Sequence, residues 1–479
     1  MEQVSLSLRE ELDLIGKELH QHFSPTQLEV LARQTGFVQR KSKLTAQDFV
    51  AVCTFLDHDL STQSLTSLCS QLDAARNVSM SAEGLNQRFH ESGVAFLRTL
   101  FSTLLREKLA SSLPIPWDLD TYFHRIRILD ATVFQLPDIY ASRYPGSGGS
   151  AHTAGIKIQL EYDLKTGEFL HVDVGSGSTS DGLYGAKLAK TVEKQDLCIR
   201  DLGYFCLEDF EQIEKREAYY ISRLKINVRI FQKNDEVERF KNGKVRKDSV
   251  YTEIDLEAIM NQLTPGEVLE IHEVYLGREK KLVPRLLIYK LTQEQTQERL
   301  AIRAKNEKKK GITYKERTKR LSGINVYITN IPKEYVDKEY IYSLYSLRWQ
   351  VEILFKTWKS FFHIDWIKPV KIERFECHLY GKLIALLLTS SLMFQMREIL
   401  LRKKKREVSE LKSIAILKTY LGSLHDALNG HIDDIVHVLQ QILQMIEKNG
   451  RKSHRYKKKT VFDILGVAYE CDQKSRTAA

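Results

Sequence analysis

Over residues 341–359 the apolar side chains Leu344, Leu347, Val351, Leu354, Phe355 and Trp358 recur at three- and four-residue spacing. That period predicts a helix with one face held against a core. Beside this face run Tyr345, Arg348, Glu352 and Lys359. At about 100° per residue they fall within a stripe roughly 60° wide, with Lys356 on its edge. One carboxylate held among cations suits a place where a metal meets a phosphate backbone. The same pattern also describes an amphipathic surface helix with a salt-bridged face.

The first 110 or so residues show the helical period throughout. Ser24, Pro25 and Thr26 open one helix that Gly36 closes, and Thr45 with Asp48 starts the next. Two short patterns, 64–75 and 81–90, have the outline of a helix-turn-helix. Its second member would offer Asn86, Gln87 and Arg88 to base edges or phosphates. Residues 111–117 (SSLPIPW) break the period and read as a linker.

The period then changes to that of strands. Residues 126–129 predict a strand ending at Asp130, and IKIQLEYD with EFLHVDV predicts a hairpin. A helix over 181–192, a strand over 197–199 ending just before Arg200 and Asp201, and a strand over 218–221 follow. The glycine-rich PGSGGS at 145–150 lacks the Gly-Lys-Ser/Thr ending of a phosphate-binding loop and reads as a connection. From 227 to 330 the pattern is β-like and irregular, which marks an inserted block ahead of the 341–359 helix. Residues 373–402 and 408–446 are helical. Their most apolar run, 383–396, is too short to cross a bilayer and predicts a buried helix.

A hydrophobic content of 43% in 479 residues supports a globular chain of several domains. Seventy-two Lys and Arg against 62 Asp and Glu leave a charge of +10, gathered into runs at 305–320, 402–406 and 451–459. Gathered cations favour a polyanionic partner. Six cysteines without CxxC pairs indicate neither disulfides nor zinc and fit a reducing cytoplasm. The acidic start lacks the regions of a signal peptide, and no membrane partner is expected.

Two strand-end aspartates and a distant helical glutamate are the parts of a two-metal site. Hard cations need rigid oxygen ligands, and two ions about 4 Å apart activate an attacking oxygen and stabilise a leaving one at a phosphodiester. A glycoside hydrolase also uses paired carboxylates, but the basic excess and four tryptophans do not favour a sugar cleft.

Asp130 in LDATVF, Asp201 in RDLGYF, and Tyr345, Arg348, Glu352 and Lys359 in YSLRWQVEILFKTWK resemble the DDE transposases of bacterial insertion sequences. The resemblance is to the branch with a Tyr-Arg-Glu-Lys signature helix, insertion-sequence family four. It implies an α/β, ribonuclease H-like catalytic core (118–225 and 331–400) interrupted by a β-rich insertion (226–330). An N-terminal helical DNA-end-binding domain (1–115) and a basic helical C-terminal region (401–479) would flank the core. It further implies that Asp130, Asp201 and Glu352 bind two Mg²⁺, with Mn²⁺ as a substitute. The DNA partners would be the terminal inverted repeats and a target duplex, cut through a hairpin intermediate by a homodimer at the bacterial nucleoid. Tyr345, Arg348, Lys356, Lys359 and Arg88 would contact DNA. Trp349 would stack on a displaced base, or else belong to the core. The branch uses a tryptophan in its insertion for that stacking. Here none of Trp117, Trp349, Trp358 and Trp366 lies there, leaving Tyr275, Tyr289, Tyr314 or Tyr327 as substitutes. A catalytically inactive, transposase-derived DNA-binding protein is the alternative. The apolar Ile414, Ile416, Leu417, Leu421, Leu439, Ile442 and Leu443 are expected either in a dimer contact or inside the monomer.

Overall fold

The computed structural model describes residues 6–40, 42–56, 59–107, 122–148, 153–453 and 459–467. The linker expected at 111–117 lies outside these. The chain divides into two compact units: Met1–Asp118 with Ala131–Thr179 and Gln350–Ala479, and Leu119–Asp130 with Ser180–Trp349.

The first unit opens with helices α1 (Leu8–Phe23), α2 (Pro25–Gln34), α3 (Ala46–Val50), α4 (Leu65–Arg76), α5 (Ala82–Asn86) and α6 (Glu91–Arg106). Capping boxes at Ser7 and Thr45 start α1 and α3. The expected recognition helix over 81–90 is only the five-residue α5. Ser81 caps its start, but Gln87 already ends it and Arg88 lies beyond it. Phe89 is drawn into the core and His90 turns extended to begin α6.

Strand β1 (Arg125–Gln135) crosses from the second unit into the first, which also holds the antiparallel hairpin of β2 (Gly155–Asp163) and β3 (Phe169–Ser176). Gly167 turns the hairpin at φ +75°, and a Cβ there would overlap the Phe394 ring.

In the second unit β1 pairs in parallel with β4 (Asp196–Arg200), and β4 with β5 (Tyr219–Arg223). Three strands of the segment read as an insertion extend the same sheet: β8 (Val268–Ile271), β10 (Arg285–Lys290) and β11 (Ile324–Thr329), in the order β5-β11-β10-β8 and antiparallel throughout. A small sheet of β6 (Ile230–Lys233), β7 (Tyr251–Glu253) and β9 (Val274–Leu276) accompanies them. The helices are α7 (Asp181–Ala189), α8 (Leu207–Lys215), α9 (Leu256–Gln262), α10 (Gln293–Lys310), α11 (Glu316–Arg320) and α12 (Lys338–Ser346). Cys198, Phe210, Ile213, Tyr220, Leu286 and Ile328 lie in the main core of this unit. The fold is mixed α/β with helical N- and C-terminal regions.

Helix α13 (Trp349–Ser360) follows, then α14 (Ile372–Lys404), α15 (Glu410–Thr419), α16 (Leu421–Leu428), α17 (Ile432–Asn449) and α18 (Val461–Leu465). Helix α14 is the core helix of the first unit, buried along nearly its whole length. Gly381 lets it touch a π-helical turn at Ala51–Phe55, where a Cβ would come 2.2 Å from the Cys53 carbonyl oxygen. Two of its buried charges have close partners: the Tyr144 hydroxyl donates to Glu376 at 2.6 Å, and Lys382 lies 2.9 Å from Asp59. The helical stretch 408–446 is three helices; of its apolar residues Ile414, Leu417, Leu421, Leu439, Ile442 and Leu443 are buried within the monomer, while Ile416 is half-buried. The six buried ones are core, not a dimer face. The described cysteines Cys53, Cys69, Cys198, Cys206 and Cys377 are free thiols.

Candidate active site

The parallel register of β1 and β4 sets the geometry. Arg125 pairs with Asp196 and Leu129 with Arg200, so the next residues along the two strands are Asp130 and Asp201. This register is pinned by ion pairs. Asp196, fully buried, accepts from Arg125 at 2.8 and 2.7 Å and from Arg127 at 3.0 Å. Burial alone would raise the Asp196 carboxyl. The hydrogen bonds from Arg125 and the Glu193 amide, with the charge of Arg127, outweigh it and hold the group below its usual range. Asp201 follows β4, as read from the sequence. Asp130 does not end its strand: β1 continues through Ala131, Thr132 and Val133 to Gln135.

Arg348 reaches across both aspartates. Its Nη1 donates to Asp130 Oδ2 at 3.0 Å and its Nε stands 3.8 Å from Asp201 Oδ1. The arginine is nearly buried while Asp201 remains 45% exposed, so the pair of carboxylates opens to solvent on the Asp201 side. The expected single helix over 341–359 is in fact two. The Leu347 and Arg348 amides donate three residues back, to the Leu344 and Tyr345 carbonyls, and this tightened turn separates α12 from α13. Arg348 therefore projects from a turn between helices. Its guanidinium also lies 4.8 Å from the Trp349 ring centroid, and Trp349 is 56% exposed. A core role for Trp349 is thereby excluded, whereas Trp358 is fully buried.

Tyr345 sits in the last turn of α12 with its hydroxyl out of solvent. Burial, then Asp201, pushes it up to about 12, against the pull of Arg348 and Arg223. Tyr204, on the short turn after β4, packs with Leu129, Tyr184 and Leu188. Its hydroxyl is raised by burial and then by Asp181, Asp130 and Asp201. Asp181, at the start of α7, is thus a third carboxylate in this neighbourhood. The sequence pattern does not single it out, because a carboxylate at a helix start is ordinary.

Glu352 lies in the first turn of α13, partly exposed. In the same unit, the Lys359 ammonium donates to the Val133 carbonyl at 3.2 Å, and Lys356 is exposed. Asp130 and Asp201 are hard oxygen donors sharing one cationic side chain, a chemistry that fits a divalent cation. Among the described residues no three acidic, histidine or cysteine side chains gather at metal-binding spacing.

Of the proposed stacking tyrosines, Tyr327 is buried and is excluded. Tyr289 is tied to the Lys338 carbonyl, Tyr275 packs edge-on against Tyr251 and Tyr314 lies under Arg303. Arg88 joins Arg40, Lys43, Gln87 and His90 in lining an open polar cleft of about 570 Å³ in the first unit. The basic run at 402–406 is largely neutralised: Arg402 and Lys403 meet Glu11, and Lys404 and Arg406 meet Glu447. In the run at 451–459, Lys452 pairs with Glu407 and Glu410, and residues 454–458 lie outside those described.

The family model of the transposase DDE domain matches residues 121–388. Over 98% of both chains, the sequence is 52% identical to the transposase for insertion sequence element IS231E of Bacillus thuringiensis subsp. finitimus. The chain belongs to the DDE transposases of bacterial insertion sequences. The transposase is also 49% identical to its IS231C counterpart from B. thuringiensis subsp. berliner, over 99% of this chain and all of that one. Identity is 35% to the transposase for IS1151 of Clostridium perfringens, over 96% of this chain and 97% of that one. The cryo-EM structure of a piggyBac transposase synaptic complex with hairpin DNA aligns with 97% of this chain and 89% of its own. At a TM-score of 0.43 and 11% identity, that likeness is too loose to carry an argument. Family membership implies a divalent metal cofactor, and the transposase acts as an enzyme.

Proposed function

We propose that the transposase excises its element by cutting at the terminal inverted repeats, with Asp130, Asp201 and Glu352 as metal ligands within a ribonuclease H-like core. The observation that carries this reading is the juxtaposition of Asp130 and Asp201 by the β1–β4 register, with Arg348 across them. The divalent ions, Mg²⁺ in this reading, supply activation of the attacking oxygen and stabilisation of the leaving one. The side chains do the rest. Arg348, freed from the carboxylates, grips a phosphate, with Lys359 supporting the same strand, Lys356 reaching its outer side and Tyr345, buried in the turn before it, holding Arg348 in place. Trp349, exposed beside Arg348, offers an indole face to an unstacked base.

In the first step water attacks the phosphodiester at the element's end and releases a 3′-hydroxyl. That hydroxyl attacks the opposite strand, forming a hairpin and freeing the flanking DNA. Water then reopens the hairpin, and the 3′-hydroxyl joins target DNA. The N-terminal helices recognise the end, with Arg88 and its cleft as the contact. The reaction needs two ends held together, which a homodimer in the bacterial cytoplasm, at the nucleoid, provides.

A labelled element end incubated with the protein and Mg²⁺ tests this on a denaturing gel. Nicks, hairpins and blunt ends are expected in that order. A protein that binds the end without nicking it in Mg²⁺ or Mn²⁺ would instead be an inactive DNA-binding derivative.

A further inference from the structure

Three guanidiniums converge in the second unit without a carboxylate to balance them. Asn325 on β11 accepts through one amide oxygen from Arg299 of α10 at 2.8 Å and from Arg223 of β5 at 3.3 Å. Arg303, one turn after Arg299, donates to the Thr318 carbonyl and lies 5.6 Å from the Tyr314 ring. Arg299 also donates to the Ser322 and Ile324 carbonyls at 3.1 and 2.9 Å. None of the three arginines is ion-paired among the described residues. The nearby Glu307 is taken by Lys319 at 3.3 Å and by the Tyr314 amide.

Like charges so placed repel. Arg299 is held below its ordinary value by burial and then by Arg223 and Arg303; Arg303 is lowered by burial and by Arg223. Folding has drawn these cations together and stabilised them with neutral oxygens and the Tyr314 ring, which leaves their charge suited to an anion. Two further observations give direction. Arg223 faces Tyr327 across the ladder, the Tyr327 ring lies 5.1 Å from that of Tyr345, and the Tyr345 carbonyl accepts from the Arg348 amide, so the cluster adjoins the residue that bridges the aspartates. Beyond Arg303, α10 carries Lys305, Lys308 and Lys309, exposed and without ion pairs among the described residues. The run at 402–406, by contrast, is matched by glutamates.

We propose that Arg299 and Arg303 of α10, with Arg223 on the sheet side, form a phosphate site that grips the DNA backbone beside the cut and continues along the exposed lysines of α10. The β-rich segment is then a clamp on DNA, not a spacer. This rests on the reading of Asp130 and Asp201 as the place of cutting. The chemical signature is a phosphodiester held by planar forks, which suit it better than an ammonium does.

The test is the salt dependence of binding by the full-length protein, in EDTA, to an element-end duplex and to an unrelated duplex of equal length. Each phosphate that is no longer neutralised lowers the slope of log K against log salt by about 0.9. Arg223→Gln and Arg303→Gln are each expected to lower the slope by about one unit on both duplexes, and the double variant by about two. Arg299 also braces two carbonyls, so Arg299→Lys is used there, with charge and slope retained but affinity reduced. Arg402→Gln, in the neutralised run, should leave the slope at the wild-type value. Wild-type slopes in Arg223→Gln, Arg303→Gln and their double variant, with unchanged melting temperatures, would overturn the proposal. Failure of the wild-type protein to cut the end would overturn the catalytic reading alone, because the slope on the unrelated duplex does not depend on cutting.

Discussion

In the proposed site Arg348 fills the position between Asp130 and Asp201 that a cation would take, so removing it should change metal binding. Its bond to Asp130 is 3.0 Å long between side chains only 9% and 18% exposed. A charge-assisted hydrogen bond of this kind is worth about 2 kcal/mol net, although its bare Coulomb term at about 4 Å and an effective dielectric near 20 is roughly twice that. Arg348→Ala should therefore destabilise the metal-free protein by about 2 kcal/mol. Because the arginine no longer competes, Mn²⁺ should bind about 30-fold more tightly, at about 1.4 kcal/mol per tenfold. Titration calorimetry with Mn²⁺ reads the affinity. Melting in EDTA and in Mn²⁺ reads the stability, with the gap between the two wider in the variant. Asp130→Asn in the same background should abolish the gain. The variant should still nick slowly and stall before or at the hairpin, where the distorted end needs fixed positive charge. Mn²⁺ binding that is unchanged or weaker in Arg348→Ala would refute the competition and make the arginine a support for the ligands instead.

Asp130→Asn, Asp201→Asn and Glu352→Gln should each reduce single-turnover nicking by at least about a thousand-fold while leaving end binding intact or tighter; full nicking in any one removes that residue from the site. Arg88→Ala should lessen the preference for the element end over random duplex by about 1–3 kcal/mol, measured by competition, and an unchanged preference would reduce the cleft to packing. His378 is fully buried and pushed down to about 3, by burial and then by Lys382. The fold therefore keeps it neutral: its contribution is complete above the unfolded value near 6.5 and is lost as pH falls. His378→Leu should flatten the drop in melting temperature between about pH 6.5 and 5; an unchanged drop would assign it elsewhere. Glu407 is raised to about 7 by burial. Its penalty grows as pH rises from the unfolded value near 4.5 through 7, so Glu407→Gln should gain on wild type above about pH 7 and match it near pH 4. Parallel melting curves would count against this.

Local pattern carries the reading where neighbours in sequence are neighbours in space. The hairpin of β2 and β3, the strand before Asp201 and the buried α14 all follow from period and turn chemistry. Asp130 misleads because an apolar run that stops at a carboxylate looks like a strand end, whereas Ala131, Thr132 and Val133 continue the strand. The break at Leu347 and Arg348 leaves no mark, since both halves keep the helical period and no glycine or proline interrupts them. At 81–90 the capping serine is legible, but the burial of Phe89 that stops α5 is a tertiary effect. The arginine cluster is invisible for a stronger reason. Arg223 and Arg299 are far apart in the chain and meet only through the register in which Arg223 faces Tyr327 across β5 and β11.

The pairing of β11 with β5 means that the chain runs on from Arg223 to build the outer strands β8 and β10 and returns on the strand beside the one it left. Residues 224–323 are in this sense a detour whose two ends are fixed next to each other. The entropic cost of closing such a detour grows only with the logarithm of its length, by about 0.6 kcal/mol per doubling. Lengthening, trimming or exchanging its outer parts leaves the register of β1 and β4 untouched, and with it the spacing of Asp130 and Asp201. Divergent DNA grips can therefore be grafted onto one unchanged cutting apparatus, which makes this detour the natural place to engineer a transposase with altered hold on its substrate.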